Sequence, residues 1–224
     1  MSRTIAIDGP SGSGKSTVGH ALARVIDATF VDTGLMYRAL TLAAVERGVD
    51  VEDGPALGGL AGECRITVER ARPDQHDRLE TVLLDGRDVT AEVRRPEIDR
   101  AVSAVSRHAE VRDAMLEVQR AAARRGDTVM VGRDIGTVVL PEATLKVYLT
   151  ADAATRALRR AVEMGRPERY EEYLAEIRRR DEADSGRAVA PLRQADDAMV
   201  LDTGRLNVGE CVAAIVNRLE AIGA

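Results

Sequence analysis

The stretch Gly9-Pro10-Ser11-Gly12-Ser13-Gly14-Lys15-Ser16-Thr17 constrains this chain more than any other. It fits the pattern of a phosphate-binding loop, in which glycines let successive backbone N–H groups curl around an anion. Context makes the pattern informative. Thr4-Ile5-Ala6-Ile7-Asp8 before it reads as a short buried strand, and Val18 to Ile26 after it reads as a helix. A helix beginning near Gly14 would add the positive end of its dipole. Lys15 supplies a cation for the β- and γ-phosphates of a nucleoside triphosphate, and the Ser16 hydroxyl is the expected Mg²⁺ ligand. The bland alternative, a glycine-rich turn with one surface lysine, does not account for the flanking strand and helix.

The rest of the composition narrows the partners. Of 32 basic residues only Lys15 and Lys146 are lysine, which leaves 30 arginines. With so many, an arginine marks a phosphate site only by its position. A net charge of −5 argues against duplex nucleic acid or an anionic membrane as the main partner. Cys64 and Cys211 stand far apart, and His20, His76 and His108 are scattered, so no disulfide framework or zinc cluster is legible. No apolar run approaches the roughly 18 residues of a membrane span. No signal region precedes the first strand, and a cytoplasmic protein is expected.

Along the chain, strand patterns recur at Thr29–Asp32, Thr128–Val131, Thr144–Leu149 and Ala198–Asp202, with helical patterns between. With the first strand this predicts an α/β fold, a five-stranded parallel sheet covered by helices on both faces. Thr33-Gly34 reads as a turn, followed by a helix from Met36 to Arg47 that Gly48 stops. Residues 49–96 change character. Gly54, Pro55, Gly58, Gly59, Gly62, Pro73, Gly86 and Pro96 surround two strand-like segments, Cys64–Val68 and Leu79–Leu84, and suggest a small antiparallel insert. Glu97 to Arg125 reads as two helices broken near His108, residues 152–182 as helices interrupted at Gly165-Arg166-Pro167, and Val208–Ile222 as a closing helix.

Four further stretches matter together: Asp32-Thr33-Gly34-Leu35-Met36-Tyr37-Arg38, Gly132-Arg133-Asp134-Ile135-Gly136-Thr137-Val138-Val139, Arg178 to Arg187, and Ala188-Val189-Ala190-Pro191-Leu192. With the phosphate loop, this set resembles the bacterial cytidylate kinases of the nucleoside-monophosphate kinase family, nearly end to end and in order. The resemblance implies transfer of the ATP γ-phosphate to CMP or dCMP with Mg²⁺. It implies a P-loop kinase core (1–37, 97–151 and 190–224), an inserted monophosphate-binding domain (38–96) and a helical lid (152–189). By position, Lys15, Arg133, Asp134 and Arg180 would be catalytic. Thr33, Arg38, Ser103, Arg112, Arg133, Asp134, Arg180, Asp184 and Arg187 would meet the acceptor nucleotide. ATP would be held by residues 9–17 with Arg156 and Arg160. The chain departs from the family pattern at Thr33, where serine is common, and at Val131, where an acid is common. The second departure leaves Asp134 and Asp8 as candidates to organise metal-bound water.

The chemistry asks for such a set. Phosphoryl transfer is mainly positioning and charge neutralisation, and arginine binds phosphate oxygens as a planar fork. Arg156, Arg159 and Arg160 share one helix face, which either closes over ATP or faces water. Asp134 or Asp184, with Ser103 and Arg112, are the right types to read the cytosine edge; Ser106, one turn on, offers the same hydroxyl. Tyr37 could pack on the acceptor base or sit in the core. Gly165 and Gly186 are candidate flexible points. A kinase for AMP, UMP, dTMP or shikimate is the nearest rival, and an ATP-dependent regulator a further one. A GTPase-type switch would need an N-K-x-D stretch, and the chain has none. No strongly apolar surface helix stands out, so a monomer is expected.

Overall fold

The structure is a computed structural model and describes residues 2–71, 80–124, 126–187 and 189–223. Residue 79, expected to open a strand, and residue 188, in the last of the four stretches, lie outside the described residues. In chain order the elements are β1 (Thr4–Asp8), α1 (Lys15–Val25), β2 (Thr29–Asp32), α2 (Thr33–Arg47), α3 (Gly54–Glu63), β3 (Ile66–Arg70), β4 (Glu80–Leu84), β5 (Arg87–Asp88), α4 (Pro96–Val105), α5 (Ala109–Ala123), β6 (Thr128–Gly132), β7 (Leu145–Thr150), α6 (Ala153–Glu163), α7 (Tyr170–Ser185), β8 (Met199–Asp202) and α8 (Val208–Ala221). A five-stranded parallel sheet runs β2-β6-β1-β7-β8 and is flanked by helices; a three-stranded sheet runs β3-β4-β5. The chain divides into two compact units, residues 1–28 with 127–224 and residues 29–126.

In the first unit the central strands are continuous apolar runs because both of their faces are covered. Ile5, Ala6 and Ile7 are wholly buried, and β1 pairs β6 in register Ile5↔Val129 and Ile7↔Val131. The same strand pairs β7 on its other side, Ile7↔Val147. The pairing brings Asp8, at the end of β1, beside Gly132, at the end of β6. Asn207 and Glu210 close a reciprocal capping box at the start of α8. Helices α6 and α7 bury Ala157, Ala161, Tyr173 and Ile177 in one small cluster of their own.

In the second unit the expected turn at Thr33-Gly34 is instead the first turn of α2. The Asp32 side chain accepts from the Gly34 N–H at 2.9 Å and caps the helix. Gly48, at φ 67°, ends it as expected. Helix α3 was hidden by its glycines. Asp53 caps the Ala56 N–H and Pro55 occupies the first turn, while Leu57, Leu60 and Ala61 form its buried face. Gly58 is needed there: an added Cβ would lie 2.7 Å from the Glu110 Cβ on α5. The antiparallel insert is three-stranded rather than two. Asp85 (φ 52°) and Gly86 (φ 83°) form the left-handed two-residue turn into β5. β5 escaped notice because it is only the exposed dipeptide Arg87-Asp88.

Glu80 on β4 is almost wholly buried, and burial followed by the nearby Asp32 carboxylate pushes its pKa up to about 7, with Arg94 3.5 Å away opposing. The unfolded chain releases this proton near 4.5, so the folded state binds more protons between about 4.5 and 7. Stability from this group is therefore lost as pH rises through that window, by about 3 kcal/mol at most. Glu80→Gln is expected to narrow the fall in urea midpoint between pH 5 and pH 8. An unchanged fall would refute this.

Candidate active site

The loop between β1 and α1 is built from residues that few substitutions could replace. Gly9, Gly12 and Gly14 have φ of 152°, 74° and 84°. A Cβ at Gly9 would sit 2.2 Å from the Leu149 carbonyl oxygen, so that glycine also permits a close approach to β7. The Ser13 N–H donates to the Pro10 carbonyl at 3.3 Å. Lys15 is buried, and its Nζ donates to the same carbonyl at 2.6 Å. α1 starts at Lys15 without a side-chain cap and with no acid in its first turn, which holds Ser16 and Thr17. An N-terminus of this kind favours an anion.

Around the loop, Asp8 is buried and accepts from the Ile135 and Gly136 N–H groups, each at 2.7 Å. Burial pushes its pKa up to about 6; these two bonds and the Lys15 charge pull against that, while Asp134 adds to it. Asp8 thus senses both Asp134 and Lys15 electrostatically. Asp8 fixes the turn that carries Asp134, which is itself buried.

Arg133 Nε and Arg187 Nη2 donate to opposite oxygens of Asp184 at 2.8 and 2.5 Å. Burial alone would raise the Asp184 carboxyl, but Arg133, Arg187 and Arg180 together hold it below the usual range. Two arginines close to Asp184 in sequence and a third, Arg133, from 51 residues away converge on this one acid, which gathers positive charge near Asp134.

The three arginines of α6 do not act as one face. Arg156 is buried; it donates to the Ala151 carbonyl at 2.9 Å and the Ser11 carbonyl at 3.1 Å, and grips Asp181 of α7 with both ends of its fork, at 2.9 and 2.6 Å. Arg159 donates to Thr203. Arg160 lies 3.5 Å from Glu163 and is partly exposed.

The second unit holds the other candidates. Thr33 is buried at the start of α2. Arg38 donates to the Val93 carbonyl at 3.1 Å and forms an ion pair with Asp99. The Arg112 guanidinium stands 5.7 Å from the centroid of the Tyr37 ring and donates to the Ser106 carbonyl at 3.2 Å. Ser103 is half-buried on α4, whereas Ser106 is buried at its end. Tyr37 is a buried residue of α2.

The family model described as cytidylate kinase matches residues 5–221. The chain belongs to the cytidylate kinase family. It is 48% identical over 219 residues to a cytidylate kinase of Exiguobacterium sibiricum, covering 96% of each chain. It is 45% identical over 217 residues to one of Mycobacterium leprae, covering 95% of this chain and 93% of that one. A crystal structure of an uncharacterized protein from Eubacterium ventriosum shares the fold, with a TM-score of 0.53 at 13% identity over 98% of this chain and 99% of that one.

The residues present fit the groups that such a kinase uses. Left-handed glycines and an uncapped helix start suit a polyphosphate, and the Ser13 Oγ is buried with no hydrogen-bond partner. Ser16, Asp8 and Asp134 offer the hard oxygen donors that Mg²⁺ prefers. Among the described residues no cluster of three or more His, Cys, Asp or Glu side chains suited to a metal ion occurs. No helix among them is long and apolar enough to cross a membrane. Two residues around the loop were not singled out from the sequence, Asp181 and Thr203. Thr203 follows the last sheet strand, and strand ends of an α/β sheet are where ligands bind, a signal that could have marked it.

Proposed function

We propose that this chain transfers the γ-phosphate of ATP to CMP or dCMP, giving ADP and CDP or dCDP. The observation that carries the proposal is the loop 9–17, with its buried lysine, in the same unit as the Arg133–Asp184–Arg187 cluster. The loop N–H groups and Lys15 would hold the donor phosphates. Arg133, Arg180 and Arg187 would neutralise charge on the phosphoryl group in transit, and Asp184 would fix two of their forks. Mg²⁺, held at Ser16 and near Asp8 and Asp134, would supply further neutralisation of the phosphates. Arg156 would serve the donor site through Ser11, and Arg160 would meet ATP from the same helix.

On the acceptor side, Thr33 and Arg38 would meet the monophosphate, with phosphate competing for the Arg38 fork against Asp99. Ser103 and Arg112, with Asp134 or Asp184, would read the cytosine edge; uracil would leave buried groups unmatched. We assign the core to residues 1–37, 97–151 and 190–224, the monophosphate-binding insert to 38–96 and the lid to 152–189. The enzyme would work as a cytoplasmic monomer.

The test is coupled ADP release with MgATP against CMP, dCMP, UMP, AMP, dTMP and shikimate. Turnover with CMP and dCMP far above the others is the expected result. Turnover with a different acceptor and none with CMP would overturn the base-reading assignments.

A further inference from the structure

The phosphate loop is held from behind, and one of its supports lies far along the chain. A trans peptide is planar, so the carbonyl of one residue and the N–H of the next point in opposite directions. Fixing a loop carbonyl on one side therefore aims the following N–H to the other. Two carbonyls of this loop are fixed by side chains from outside it. The Ser11 carbonyl receives Arg156, which sets the Gly12 N–H. The Ser13 carbonyl receives the Thr203 hydroxyl at 3.1 Å, which sets the Gly14 N–H at the start of α1.

Thr203 is well placed to impose this. It is buried and stands just after β8. Its N–H donates to the Thr150 carbonyl at 2.8 Å, which ties it to the end of β7. Its hydroxyl has one proton, shared between the Ser13 carbonyl and, at 3.2 Å, the Thr150 carbonyl, which the Thr203 N–H already satisfies. The Arg159 fork fills the remaining acceptor side, with Nη1 on Thr203 Oγ1 at 3.0 Å and Nη2 on the Thr203 carbonyl at 2.5 Å. Arg159 thus turns the hydroxyl proton away from itself and toward Ser13.

We propose that Thr203 is a positioning residue for the phosphate loop and that Arg159 acts through it. The pair preorganises the Gly14 N–H for a phosphate of the donor nucleotide. This rests on the reading of the loop as the ATP site. Neither residue touches the nucleotide in this account; both act on the direction of one backbone N–H. An arginine on α6 and a hydroxyl after β8 thereby hold the loop in its binding shape without a ligand.

The experiment compares wild type, Thr203→Val, Thr203→Ser, Arg159→Met and the Thr203→Val/Arg159→Met double variant. Binding of ADP with Mg²⁺ is measured by calorimetry, KM for CMP by coupled assay, and folding by thermal melting. Thr203→Val is expected to weaken ADP about tenfold to a hundredfold, the scale for leaving a buried acceptor unmet. Thr203→Ser should stay within about threefold of wild type, and KM for CMP within about twofold throughout. Arg159→Met should weaken ADP in the same direction, and the double variant should be no worse than Thr203→Val. ADP affinity unchanged in Thr203→Val, a serine variant as weak as the valine one, or a parallel rise in KM for CMP would each overturn the proposal. If Thr203→Val fails to fold, Arg159→Met and Thr203→Ser decide the matter by the same criteria. A wild-type protein that binds no ADP would instead refute the reading of the site.

Discussion

Lys15→Ala is expected to lower kcat/KM for ATP by about 10³-fold while the protein stays folded. Removing one preorganised donor from a transferring group costs on this scale. Lys15 is buried, and its ammonium is one of only two lysine charges in the chain. No neighbouring lysine can take its place, and the arginines described around the site are bound to other partners: Arg133 and Arg187 to Asp184, Arg156 to Asp181. The fold should survive, because the change trims one side chain of a loop whose shape is set by its glycines, and leaves the apolar strands beside it intact. Circular dichroism and melting of the variant beside its steady-state kinetics check both parts. Wild-type kinetics in a folded variant would remove Lys15 from the mechanism.

Asp184→Ala is the second large effect, on stability as well as activity. The acid is nearly inaccessible and joins Arg133 to Arg187, whose side chains are 20% and 8% exposed. Deleting it leaves cations facing one another with their common counter-charge gone. Breaking a buried pair from one side typically costs about 3–5 kcal/mol. For a chain of this size that lowers the melting temperature by roughly 6–20 °C. Two arginines proposed to meet phosphate would also lose their common anchor, so kcat should fall. The native carboxyl titrates below its usual range, so its contribution is present above that range and lost as pH falls through the depressed value. Melting curves at pH 7 for Asp184→Ala and Asp184→Asn provide the check; an alanine variant as stable as wild type would show the cluster to be energetically idle.

Much of the fold was legible because its signals are local. The apolar runs at β1, β6 and β7 lie within a residue of the observed strands, and the break between α4 and α5 falls at Ser106–His108. What was missed depends on partners remote in sequence. α3 looked like loop because Gly58, Gly59 and Gly62 are poor helix formers, and only its packing against α5 makes one of those glycines favourable. Arg156 and Arg160 looked equivalent by spacing, yet one is buried against Ser11 and Asp181 and the other lies near Glu163 at the surface. Asp8 was legible as an acid at a strand end, but its grip on Ile135 and Gly136 spans more than 120 residues, and no periodicity encodes that. The loop motif was fully readable, whereas the supports behind its carbonyls were not.

The small cluster shared by α6 and α7 has a mechanical corollary. Ala157 and Ala161 are sealed against Tyr173 and Ile177, with Ala153, Tyr170 and Leu174 around them. Bending at Gly165, where the two helices join, would pull these side chains apart and wet them. The hairpin is therefore a stiff lever rather than a pair of flaps. A swing of the lid proposed for this stretch would then be taken up at the root of the hairpin, around Ala151-Asp152, and not at its tip.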